Sequence, residues 1–243
     1  MFVNLFARSE DDFKYLLANF GESIRVNNVE VKAVITNAPI KEFDDKYVSA
    51  LTHFKRGDHV LYKGLDYYVI NEVEAKRYDN YKAIIRRCPY KINFNVSKYT
   101  NTTSGPYVSY DVKRVPTIVS TAKDIGMNYN QMIGAYLPDG QLAIYVQDNS
   151  DTRKIFAGVA DPEQKTLHNI IFSGKAWKII GADLTKKGMI TFNVQATTFG
   201  SNDDRVNEIA WVATHTNWNG VIDDTFYNGD TSQNAGSGGG GWL

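Results

Sequence analysis

The chain has a single cysteine, Cys88, so no disulfide can form within it and the fold must be held by its core. Histidine is equally scarce: no two of His53, His59, His168 and His215 stand at a short metal-ligand spacing. Net charge is missing as well. Lys plus Arg and Asp plus Glu both number 27, which argues against a dedicated nucleic-acid binder that neutralises many phosphates, while leaving room for a local basic face. Near-neutral copies repel one another little, which suits a multi-copy assembly. No run approaches the ~20 apolar residues of a membrane span. The opening MFVNLFARSEDD has neither the basic start nor the apolar stretch of a signal peptide. A soluble intracellular product without a membrane partner is the expectation.

Catalytic signatures are also thin. Cys88 has no CxxC partner and sits late in a strand pattern, as a small buried apolar residue would. The pairs Asp11-Asp12, Asp44-Asp45, Asp203-Asp204 and Asp223-Asp224 are adjacent residues in polar contexts, whereas acid-base work needs two carboxylates in different environments. Asp148, Asn149 and Asp151 offer clustered oxygens to a hard cation, yet no twelve-residue calcium loop surrounds them. The run from Gly236 to Gly241 lacks the Lys-Ser or Lys-Thr and the helix of a phosphate loop. The expectation is no enzyme, no catalytic residue, no metal and no cofactor.

Aromatic and β-branched residues are abundant. Fifteen Tyr and twelve Phe bring the aromatic content to 13%, which favours strands. From Lys55 to Tyr90 three apolar-rich runs alternate with two turn signals. His59 to Tyr62 reads as a strand, Lys63-Gly64 as a tight turn, Asp66 to Val73 as a longer strand, and Tyr81 to Cys88 as the third stave of a meander with Ala83 and Ile85 on one face. Upstream, Ser9 and the acidic residues Glu10 to Asp12 open a helix whose Phe13, Leu16, Leu17 and Phe20 fall at i, i+3, i+4 and i+7, with Gly21 ending it. A hairpin follows, turning at Asn27-Asn28. Residues 37–54 show no clean period and read as a loop or a projecting hairpin.

The order carried by Arg56-Gly57-Asp58, Val60, Tyr62, Gly64, Tyr67-Tyr68-Val69, Val73 and Ala83-Ile84-Ile85 resembles the small β-barrels of head-tail joining, or stopper, proteins of long-tailed bacterial viruses. The resemblance implies a neck component of the virion, made in the host bacterial cytoplasm. It implies a homo-oligomeric ring, hexameric by expectation, between portal or adaptor and tail proteins, with packaged DNA in its channel. In that family the excursion matching residues 37–54 meets neighbouring subunits or the channel, which makes Lys46 and Tyr47 candidate intersubunit contacts. From the residues themselves, Lys76, Arg77, Lys82, Arg86, Arg87 and Lys91 make the meander locally basic. Lys82, Arg86 and Arg87 are the candidate DNA-facing set, and a charged outer strand face that discourages edge pairing is the alternative.

The polar stretch Ser97 to Pro106 reads as a linker, which divides the chain into a barrel domain (1–96), a linker (97–106), a β-sandwich domain (107–214) and a Gly-rich tail (215–243). Short strands are expected at Val108 to Val112, Thr117 to Ser120, Ala135 to Leu137, Leu142 to Gln147, Ile155 to Ala160, Leu167 to Phe172, Ala176 to Ile180 and Met189 to Thr198, a spacing that argues for a sandwich. Val206 to Ala213 reads as either a helix or a strand. Trp177 to Gly181, Gly188 to Val194 and Asn202-Asp203-Asp204 look like immunoglobulin-like modules appended to structural proteins of viruses of Gram-positive bacteria. Without paired cysteines the likeness reaches only the broader sandwich class. Trp242-Leu243, ending the Gly-rich tail, are expected to dock on a partner subunit. The overall class is mainly β: a small N-terminal helix plus β-barrel, then a β-sandwich. A rival function is a carbohydrate- or cell-surface-binding module with an aromatic face of Trp177, Trp211, Trp218 and Trp242.

Overall fold

Two asparagine- and glycine-based turns set the first domain. The computed structural model describes residues 10–39, 43–73, 80–102, 105–120, 140–156 and 169–210. Helix α1 (Glu10–Phe20) leads into β1 (Glu22–Val26), and Asn27 and Asn28, at φ 47° and 68°, turn the chain tightly into β2 (Val29–Asn37). Asparagine tolerates this left-handed backbone because its short side chain bonds locally. After β3 (Asp45–Ala50), the same geometry recurs at Lys63 and Gly64, φ 50° and 75°, between β4 (His59–Tyr62) and β5 (Leu65–Val69). With β6 (Tyr81–Arg87) the six strands close into a barrel in the order β1-β2-β3-β6-β5-β4. The closing seam of β1 on β4 is short, Arg25 opposite Leu61 and Val26 opposite Val60. Alternate residues of every stave point inward, so Ile24, Val26, Val31, Ala33, Val48, Ala50, Val60, Val69, Ala83 and Ile85 fill the core, and Phe54 and Val73 join it.

Within residues 37–54, read as a loop or a projecting hairpin, the described strand belongs to the barrel wall. Their centre, β3, is a barrel stave held between β2 and β6, with Val48 and Ala50 fully buried. The alternation is masked in the sequence because the inward position at the strand's start is a lysine, Lys46. The α1 stripe is only partly used: Phe13 is buried, while Leu16 and Phe20 stay 46% and 67% exposed.

The second domain begins without a linker. Cys88 and Pro89 alone separate β6 from β7 (Tyr90–Thr102), which pairs along its whole length with β8 (Gly105–Ser120). Residues 97–102 and 105–106, within the stretch expected as a linker, lie instead in this hairpin, where a Ser/Thr-rich strand satisfies its backbone in the ladder. Val108 to Val112 and Thr117 to Ser120 are one continuous strand, Pro116 included. Strands β9 (Gln141–Gln147), β10 (Asn169–Phe172), β11 (Lys175–Asp183) and β12 (Met189–Thr197) complete one six-stranded sheet in the order β10-β11-β12-β9-β8-β7. Two facing sheets were expected. One coiled sheet stands in their place, its edge strands β7 and β10 brought together so that it is nearly closed. Phe94, Phe172, Trp177 and Phe192 dominate its interior, and Trp177 stacks on Phe172 with centroids 5.3 Å apart.

Helix α2 (Ser150–Phe156) occupies part of the segment expected as a strand from Ile155. Its cap explains it: Asn149 Oδ1 accepts the backbone N–H groups of Asp151 and Thr152 at 3.0 and 2.9 Å, and Arg153 and Lys154 stand at the last turn. Near Val206, turns and a bridge from Asp204 to Ile209 replace the expected helix or strand. The strand expected at Ala135 to Leu137 and the Ser9 cap lie outside the described residues.

Candidate functional site

Strand alternation decides where each candidate residue points. On β6, Lys82, Ile84 and Arg86 share the outer face, whereas Arg87 has the inward parity of Ala83 and Ile85 and stands exposed at the barrel's end. The three cations expected together are thus divided. Lys82 lies over the ring of Tyr47, 4.3 Å from its centroid. Arg86 makes a two-pronged ion pair, Nε and Nη2 each 2.8 Å from the Asp45 carboxylate, and stacks 3.9 Å over the ring of Phe43. A guanidinium so occupied braces β6 to β3 and presents little free charge. Lys76 and Arg77 lie outside the described residues, and Lys91 pairs with Asp66 at 3.0 Å.

Lys46 and Tyr47, adjacent in sequence, face opposite ways. Tyr47 is on the outer wall beneath Lys82. Lys46 opens onto one mouth of the barrel, its Nζ 3.3 Å from Asn37 Oδ1 and 3.3 Å from Asp44 Oδ1. Around it Ile35, Thr36, Asn37, Asp44, Tyr62, Lys63, Leu65 and Tyr67 line a cleft of about 560 Å³. Tyr62 donates its hydroxyl to Glu22 at 2.8 Å, and Lys63 pairs with the same carboxylate at 2.8 Å. The Lys63 and Tyr62 hydrogen bonds hold Glu22 below the usual carboxylate range. Tyr67 is 1% exposed, and burial pushes its phenol up. Its hydroxyl makes no hydrogen bond to a described residue. The opposite end of the barrel is plugged by Phe54 and Val73 and fastened where His53 Nε2 meets the Val73 carbonyl at 2.6 Å. One end is an apolar seal and the other a polar mouth.

The joint between the domains is the other concentration of buried polar groups. Asn27 Oδ1 accepts from the His59 amide at 2.9 Å and from Gln147 Nε2 at 3.2 Å, while its Nδ2 donates to Asp58 Oδ1 at 2.8 Å. Burial lifts the Asp58 carboxyl above its ordinary value. Tyr68 donates its hydroxyl to the Pro116 carbonyl at 2.8 Å, and Tyr68, Cys88, Ile118 and Met189 form a small core between the sheets. Gly57 and Gly188 meet backbone to backbone, both at positive φ, 88° and 89°. A Cβ on Gly57 would stand 1.7 Å from the Gly188 carbonyl oxygen.

Asp148 binds Arg153 through both oxygens at 2.6 and 2.9 Å, and Asp151 binds Lys113 at 2.6 Å, so the oxygens considered for calcium serve the α2 cap and its ion pairs. Among the described residues no group of three or more His, Cys, Asp or Glu is placed to hold a metal. Burial drives the Cys88 thiol well above its ordinary value, which leaves it protonated. No described helix is long and apolar enough to cross a membrane. Trp177 is a core residue, while Trp211, Trp218, Trp242 and Leu243 lie outside the described residues. Sequence reasoning missed the mouth and the joint. Inward parity could have shown Lys46 and Arg87 at one barrel end, but nothing local marks Gly57 as the partner of Gly188.

No curated protein and no solved structure matches the chain. Residues 4–87 match the family YomX N-terminal domain and residues 90–195 the family YomX C-terminal domain, and the seam between them falls where β6 hands over to β7. The chain therefore carries, in order, the two domains of the phage-associated YomX families.

Proposed function

We propose that the chain is a structural protein of the phage neck that joins head to tail and helps retain packaged DNA. The observation that carries the reading is the closed six-stranded barrel led by a short helix in a chain of phage-associated families. The role is mechanical. Copies form a ring, six by expectation, between portal or adaptor and tail proteins, and the second sheet extends from it. Arg86 is committed to Asp45, so charge toward DNA falls to Lys82 on the outer wall and to Arg87 at the mouth. Deleting the gene from its parent virus tests this by electron microscopy. The expected result is heads accumulating beside finished, unattached tails, with DNA-depleted heads marking the stopper step. Normal infectious particles sink the reading. Intact particles that fail to adsorb transfer it to a cell-surface-binding module, a role that Trp177, buried in the core, does not serve.

A further inference from the structure

The β7–β8 hairpin reverses its apolar side along its length. Its register runs without a shift from Tyr90 opposite Thr117 to Thr102 opposite Gly105, so opposed residues share a face throughout. Near the barrel the apolar residues are on the inward side, Ile92 opposite Val115 and then Phe94 and Val96. Beyond Val96 that side turns polar, with Asp111, Lys98, Ser109 and Thr100, and Tyr107 is its one aromatic. The outward side does the opposite: Val112, Tyr110, Val108 and Pro106 succeed one another on β8, and Tyr99 stands opposite Val108. Strand β9 pairs with β8 only at Ile118, Val119 and Ser120. Among the described residues the outer part of the hairpin is therefore a two-stranded ribbon, which is marginal in water unless something packs on its apolar face.

The last described residues run onto that face. Asn93 Nδ2 donates to the Asn207 carbonyl at 2.8 Å, and Asn95 Nδ2 donates to the Ala210 carbonyl at 2.7 Å. Both asparagines are on the outward side, opposite Arg114 and Val112, and Arg114 Nε donates to Asn93 Oδ1 at 3.2 Å, which fixes that amide's orientation. Residues 207–210 thus follow β7 in its own direction, away from the barrel, with Ile209 and Ala210 each 1% exposed. Val112, opposite Asn95, is itself buried although it lies outside the sheet's core. The next residues in the chain are Trp211, Val212 and Ala213, apolar and uncharged, and the next outward rung of the hairpin is Ser97 opposite Tyr110. Two other stretches are worse placed to reach it. Residues 121–139 follow Ser120, which is ten residues of β8, about 34 Å, from Tyr110. Residues 157–168 follow α2, which the Lys113–Asp151 ion pair ties to the inward side.

We infer that the outward face of the hairpin, from Val112 to Pro106, is the docking face for this chain's own segment of Trp211, Val212 and Ala213. The segment continues the path of residues 207–210, with its apolar residues matched to Tyr110, Val108 and Tyr99, and it supplies the packing layer that the ribbon lacks. The polar, Gly-rich residues after Ala213 are thereby delivered toward the hairpin tip, the end of β7 farthest from β6.

Hydrogen exchange on the full chain tests the face. With Trp211→Ser and Val212→Ser together, the amides of residues 105–111 are expected to exchange at least about tenfold faster, while β2 and β3 of the barrel keep their rates. Unchanged exchange in the hairpin overturns the inference. Thiol labelling tests the segment. Val212→Cys and Ala213→Cys, in separate chains, sample both sides of an extended stretch, and Cys88, buried in the joint, does not compete. At least one introduced thiol is expected to react about tenfold more slowly than in the denatured chain, and Val108→Ser with Tyr110→Ser should restore its rate. Two thiols that both react at the denatured rate overturn the docking, and this readout stands even where the serine variants fail to fold by circular dichroism. Protection independent of protein concentration is expected. Protection that grows with concentration assigns the face to a segment of a second copy and overturns docking within one chain.

Discussion

The two domains solve the same problem, six antiparallel strands with one apolar face, in different ways. The first closes completely, and its interior is mostly Val and Ala around Phe54, Tyr62 and Tyr67. The second stops short of closing and packs six isoleucines with Phe94, Phe172, Trp177 and Phe192 where the first has alanines, leaving β7 and β10 as neighbouring edges. Small inward side chains permit a tight barrel, and bulky ones hold the staves apart. Helix α2, packed against β7 and β11, covers part of the gap that incomplete closure leaves.

If aromatic bulk is what the second sheet depends on, Phe192→Ala should be the most damaging single change, about 3–5 kcal/mol in denaturant unfolding. A loss no larger than about 1 kcal/mol would mean that neighbouring side chains collapse into the space and that the two cores differ less than their composition implies.

A second substitution asks whether the domains unfold separately. Gly57→Ala puts a methyl into the Gly188 carbonyl at a backbone conformation that alanine resists, and about 2–3 kcal/mol should be lost. Cys88 lies in the joint, so its reaction with a thiol reagent reports opening there. Accelerated labelling before global unfolding would show independent domains. Labelling that keeps pace with global unfolding would show one cooperative unit.

Acid supplies a smaller and more local probe. Burial alone would raise the Asp66 carboxyl, but hydrogen bonds from His59 and Lys91 outweigh it and hold the group below its ordinary value of 3.8. A carboxylate with a depressed folded-state value stabilises the fold above that ordinary value, and the stabilisation is lost as pH falls through the depressed one. Because Lys91 belongs to β7, this loss falls on the joint. Thermal melts from pH 6 to pH 3 should fall less steeply for Asp66→Asn than for the natural chain, and parallel curves would remove Asp66 from the joint's energetics.

Much of the barrel was legible because its signals are local. Asn27-Asn28 and Lys63-Gly64 announce their turns, and the parity of Ala83 and Ile85 fixes which face of β6 is inside. The second domain hid its architecture. Polar residues 97–106 look like a linker only until a partner strand is known, and Ile155 reads as strand unless Asn149 is recognised as a cap. The site was legible residue by residue and wrong in its grouping. Lys82, Arg86 and Arg87 are close in sequence, but the pleat and the Asp45 carboxylate assign them different neighbours. Contacts such as Gly57 against Gly188 carry no local mark, since each glycine alone reads as an ordinary turn.

The direct passage from β6 through Cys88 and Pro89 into β7 gives the chain the character of a lever. Twisting the barrel twists the sheet, because no slack segment absorbs the rotation and the glycine contact blocks sliding. A load applied at the tip of the β7–β8 hairpin is delivered to the barrel wall along a continuous strand path, and torque on one domain becomes torque on the other.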